Sequence, residues 1–215
     1  MNLTKAVLGT IAGSVLLAGA ANATVLNWDQ VHGLSPGGTI SFDGTRVTGT
    51  NIGFDLMNAS GTTADGVYHC SNAGGTVTLG TTRCLLSFVS GPLDAIAGDT
   101  YIFRSGGDIT MTGFLTTATP GNTGPVIAGS PLVLSGTVRA YTVTLVGGTG
   151  VAAGLGIDFK DQSLVDYFGT TGAKFDFTMS QLSIGGCGAA AVNGGFSCNV
   201  NNADFQNTAP EPGTL

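Results

Sequence analysis

Residues 132–146 read LVLSGTVRAYTVTLV, and the pattern within them decides the fold. Apolar and polar residues alternate along the run, as they do on a half-buried strand. Val138 and Ala140 share one parity, whereas Tyr141, Val143 and Leu145 take the other. Strand side chains alternate strictly between faces, so this slip marks a β-bulge near Ala140 or a bend between two sheets.

The same period of two appears on either side. Ile40 and Phe42 point one way in Thr39-Ile40-Ser41-Phe42, as do Ile109 and Met111 in residues 108–112. Further strands are predicted at 45–56, 66–70, 75–79, 82–89, 100–104, 151–159, 175–184 and 195–200, bounded by Gly, Asn, Asp and Ser. Their spacing predicts an all-β, antiparallel β-sandwich or jelly-roll-like domain with Gly-rich turns. One segment, 161–168, reads as a short connector helix on the sheet edge. Asp161 caps it, Leu164, Val165 and Phe168 recur at helical spacing, and Gly169 stops it. Residues 116–130 read as a surface loop.

Composition narrows the class. Charged residues are 9% of the 215 and Gly contributes 36, while hydrophobic residues reach 42%. A typical soluble domain has about 25% charged residues. Disorder combines low hydrophobicity with high net charge, so this chain is a folded one.

The N-terminus has the layout of a signal peptide. Lys5 precedes an uncharged apolar stretch from Ala6 to Ala20, and Ala21-Asn22-Ala23 offers small residues for cleavage after Ala23. The stretch is shorter than the roughly 20 apolar residues of a membrane span and is broken by Gly and Ser. The predicted organisation is a signal peptide over 1–23, one β domain over 24–204, and a polar tail over 205–215. Without Lys5, six of the seven basic residues remain against 13 acidic ones, a formal charge of −7. Such a surface repels phosphate backbones and argues against nucleic-acid binding.

Export also bears on the cysteines, because an oxidising compartment favours disulfides. Cys70, Cys84, Cys187 and Cys198 allow three connectivities. Pairing Cys70 with Cys84 and Cys187 with Cys198 closes two short loops and is the simplest. Zinc is disfavoured, since Cys-x-x-Cys is missing and only His32 and His69 are available.

Other motifs carry little chemistry. Gly33-Leu34-Ser35-Pro36-Gly37, with His32 beside it, matches the Gly-x-Ser-x-Gly elbow of serine hydrolases, and Ser35 with the scattered Asp residues is all that favours a secreted hydrolase. Pro36, however, has no N–H to give an oxyanion hole. Val146 followed by Gly148-Thr149-Gly150 imitates a dinucleotide fingerprint, but Gly154 and Gly156 disfavour the required helix, which leaves a hairpin turn. Asp94 with Asp99, and Asp158 with Asp161, are the pairs close enough in sequence to share a Ca²⁺ ion, although no acidic ligand loop surrounds them. Trp28, Tyr68, Tyr101, Tyr141 and Tyr167 would be the stacking face of a glycan-binding adhesin. No catalytic apparatus or cofactor site is expected.

The tail, Ala209-Pro210-Glu211-Pro212-Gly213-Thr214-Leu215, resembles the opening of a PEP-CTERM sorting signal, the tag of exosortase substrates in Gram-negative bacteria. The resemblance covers these seven residues; the short helix, the Phe175–Phe177 strand and Asn207-Thr208 before the motif are similar in layout. It implies processing near Pro210, Glu211 and Pro212 by an exosortase, and a cell-surface or extracellular place among biofilm and exopolysaccharide components. In that family an apolar helix and a basic cluster follow the motif. A membrane attachment would therefore lie in some 20 to 25 further residues beyond Leu215, ending in Arg or Lys.

Overall fold

A computed structural model describes residues 23–30, 37–129, 132–170, 172–189 and 194–209. The strands are β1 (Val25–Asp29), β2 (Thr39–Phe42), β3 (Val47–Phe54), β4 (Leu56–Ser60), β5 (Gly66–Ser71), β6 (Cys84–Val89), β7 (Leu93–Ala97) and β8 (Thr100–Phe103). They continue with β9 (Asp108–Thr112), β10 (Phe114–Thr116), β11 (Val126–Ala128), β12 (Leu134–Val146) and β13 (Thr149–Lys160). Helix α1 (Gln162–Phe168) precedes β14 (Lys174–Ala189), β15 (Phe196–Asn202) and β16 (Phe205–Thr208). Every ladder among them is antiparallel, and the fold is all-β and sandwich-like.

Strands β12, β13 and β14 are long enough to serve both halves of the sheet. The first residues of β12 pair with β9, and Tyr141–Thr144 pair with β8. The start of β14 pairs with β16 and its far half with β15. Between the two halves of β12 the register slips at Val138/Ala140, so Val138 and Tyr141 are both buried although their parity differs. This is the bulge that the phase change predicts. The ladders β14–β15–β2–β3–β6–β9–β12–β13–β14 return to their start, so these eight strands form a closed ring. The remaining strands extend from it as two wings.

The turn from ring to wing is made at one corner. At Asp55 the chain passes from β3, beside β6, to β4, beside β5. At Gly113 it passes from β9, beside β6, to β10, beside β5. Between these bent strands β5 and β6 run in line, but residues 72–83 loop out between them. The Cys70–Cys84 disulfide closes that excursion, with Cα atoms 5.2 Å apart. It thereby holds the middle strand in line. Gly113 has φ 145°, and a Cβ there would meet Cys84 Sγ at 2.6 Å, so the corner needs a glycine.

Inside, aromatic rings meet across strands that share no ladder: Phe42 with Tyr101 at 5.4 Å, Phe88 with Tyr141 at 4.9 Å, Phe54 with Phe205 at 6.3 Å. Glycines on the strands make room for them. A Cβ on Gly154 would meet Tyr141 Cδ2 at 2.6 Å, and the Gly156 backbone lies under the Phe177 ring. Much of the glycine in this sequence therefore serves packing as well as turns.

The connector helix lies where its caps place it. Asp161 accepts from the Ser163 N–H, Gly169 is left-handed at φ 61°, and Leu164, Val165 and Phe168 are buried. It rests on β11, the last strand of one wing, where Ser163 Oγ accepts from the Gly129 N–H.

Three expectations need correction. Residues 116–130 are not loop throughout, because Val126–Ala128 add a short edge strand to β10. Residues 75–79 make no strand, only the isolated bridge Thr76–Thr123. The folded unit also runs past 204: Phe205–Thr208 pair with both β1 and β14, and the Ala209 N–H donates to Thr24 O. That segment looks like a tail because its polar residues outnumber its apolar ones, yet Phe205 and Asn207 both point inward. Strands β1, β4, β7 and β10 are likewise not among the predicted strands.

Candidate functional site: a polar chain inside the sheet

On β13 the inward column is Ala152, Gly154, Gly156, Asp158 and Lys160. Neighbouring strands dictate this phase: Phe175 and Phe177 of β14 face Asp158 and Gly156, and Leu134 and Val138 of β12 face Lys160 and Gly156. With those bulky side chains committed to the core, the small residues of β13 must share it, and Asp158 and Lys160 follow by alternation. The outward column then carries Leu155 and Phe159, 49% and 53% exposed.

The buried charges form a chain with two further side chains. Lys160 Nζ donates to Asp158 Oδ1, and Asn207 Nδ2 on β16 donates to Asp158 Oδ2. Trp28 Nε1 on β1 donates to Asn207 Oδ1 at 2.9 Å, which fixes the orientation of the carboxamide. Lys160 Nζ also stands 4.8 Å from the centre of the Phe175 ring. Trp28, Asp158 and Asn207 are fully buried and Lys160 is nearly so.

Burial governs the electrostatics. It pushes the Asp158 carboxyl up from its ordinary range, Asp176 adding slightly, while Lys160 and Asn207 pull the other way. It draws the Lys160 amine down to about 8, against the pull of Asp158. Both shifts favour the neutral amine and the neutral acid over separated charges. The site thus joins a desolvated amine, a carboxyl in contact with it, and a carboxamide whose oxygen is already hydrogen-bonded.

The residues singled out from sequence fall elsewhere. Cys70 pairs with Cys84, and Cys187 pairs with Cys198 across the β14–β15 ladder. The aromatic face proposed for sugars does not exist as such: Trp28, Tyr68 and Tyr141 are buried, and Tyr101 and Tyr167 pack their rings against Phe42 and Tyr68. The Asp pairs are otherwise engaged, Asp94 with Arg104 at 2.6 Å, Asp161 as a helix cap and Asp158 with Lys160. Among the described residues no three His, Cys, Asp or Glu side chains gather as metal ligands. His32, Ser35, Pro210, Glu211, Pro212 and residues 1–22, where a signal peptide is expected, lie outside the described residues. Among those described, no helix is long and apolar enough to cross a membrane. No protein family, curated protein or solved structure matches this chain.

Proposed function

We propose that this chain is an exported, non-enzymatic structural protein of the cell surface or extracellular matrix, processed by an exosortase at its Pro210-Glu211-Pro212 motif. The observation that carries the reading is that both cysteine pairs are disulfides. Disulfides of this kind are made and kept outside the reducing cytoplasm. The charged leader, the low charge and the Gly/Thr-rich β scaffold fit the same setting. A matrix of exopolysaccharide is its proposed surrounding, and no activity is assigned.

Expression of the native gene in a Gram-negative host with an exosortase tests this. Deletion of residues 1–23 is expected to leave the chain in the cytoplasm with free thiols. Replacement of Pro210-Glu211-Pro212 by alanines is expected to abolish surface display while leaving export and both disulfides intact. Surface display that survives the triple replacement removes the exosortase from the reading. Cytoplasmic location of the intact chain removes the reading altogether.

A further inference from the structure

We propose that Lys160 and Asn207 are joined by a side-chain amide bond that forms inside the folded chain, with Asp158 carrying the proton between them. The geometry that brings these groups together is the same wherever the protein resides. One carboxyl group touches both reactants, the amine through Oδ1 and the carboxamide nitrogen through Oδ2. The indole N–H of Trp28 already holds the carboxamide oxygen, where negative charge develops when an amine adds to the carbon. Water, the competing nucleophile, is kept out by burial of all four residues.

The chemistry balances without any added reagent. Lys160 Nζ, as the neutral amine, attacks Cγ of Asn207, and the carbonyl electrons move onto Oδ1 against the Trp28 N–H. Asp158 accepts one proton from Nζ and delivers one to Nδ2. The Cγ–Nδ2 bond then breaks and Nδ2 leaves as ammonia. Lys160 keeps one hydrogen on an amide nitrogen, and Asp158 ends as it began. No oxidant, metal or nucleotide enters. Asp158 itself is the poorer acceptor, because a bond to Lys160 would consume the group that carries the proton and would link residues two apart on one strand. The bond to Asn207 spans β13 and β16, across the intervening β14.

Mass spectrometry of the purified, reduced full-length protein decides the matter. The expected product lacks the mass of one ammonia, and digestion yields a branched peptide joining the segment with Lys160 to the segment with Asn207. Lys160→Met and Asn207→Ala are expected to restore the unlinked mass. Asn207→Asp supplies a second readout, because the same bond then forms with loss of water instead of ammonia. Asp158→Asn, checked for a native circular dichroism spectrum, is expected to stay unlinked. An unmodified Lys160 in folded wild-type protein overturns the proposal, and so does a branched peptide that ends on Asp158.

Discussion

At the corner of the fold, Arg83 and Asp55 stand 3.3 Å apart beside the Cys70–Cys84 disulfide, and Arg83 keeps a side in contact with solvent. At the polar centre, Asp158, Lys160, Asn207 and Trp28 are closed off from solvent. The corner is a bend, and its covalent clip restrains a 12-residue excursion over 72–83 that would otherwise let β5 and β6 drift apart. The centre is a stretch of ladder in which polar atoms replace packing. A bend tolerates partial exposure and asks for a tether. A buried polar cluster depends on every member being present, since each one removed strands another.

That contrast orders the mutational effects. Asp158→Ala leaves the Lys160 amine buried without its acceptor and is expected to cost about 3–5 kcal/mol. Urea unfolding under reducing and non-reducing conditions should show the same loss in both. Cys70→Ser with Cys84→Ser is expected to cost about 3 kcal/mol, as the residues are 14 apart. If the cysteine variant proves the weaker of the two, the corner outranks the centre and the contrast fails.

Smaller changes sharpen it. Gly49→Ala places a methyl group against the Phe88 ring, close to neither region, and about 1–3 kcal/mol is expected from overpacking. The smallest effect is a pH dependence at Tyr68, whose hydroxyl donates to Ala64 O at 2.7 Å. Burial, with Tyr167 and Asp65 nearby, pushes Tyr68 up to about 12 from 10.0. Between those values the unfolded chain has lost the proton and the folded chain has kept it, so stability falls as pH rises. Tyr68→Phe should flatten that fall in a series of denaturation curves between pH 9 and pH 12.

Of the corner the sequence shows the disulfide but not the bends at Asp55 and Gly113, and almost none of the centre was legible. Phase counting found the bulge in β12, cap chemistry found α1, and loop length found both disulfides, because each signal lies within a dozen or so residues. At 151–160, hydropathy alone places Leu155, Ile157 and Phe159 inward and Asp158 and Lys160 outward. The structure inverts this, since the phase of β13 is set by Phe175 and Phe177 and by the space the Phe177 ring needs over Gly156. Asn207 was hidden in a segment whose polar residues read as tail. The short strands β1, β4, β7, β10, β11 and β16, of three to five residues, hold too few alternations to register against Gly-rich surroundings.

The position of β16 sets a timetable. It fills the gap between β1 and β14, and its Asn207 meets a tryptophan 179 residues earlier in the chain. A chain made from its N-terminus therefore carries β1 and Trp28 through fourteen further strands before β16 arrives, and β14 and Asp158, once made, also wait for that shared partner. Contacts so distant in sequence form late. Unpaired edges are also what sticky, unfinished chains display. The final strand thus acts as a completion mark: a copy cut short before Phe205 leaves the facing edges of β1 and β14 unpaired, and one that reaches Thr208 covers both.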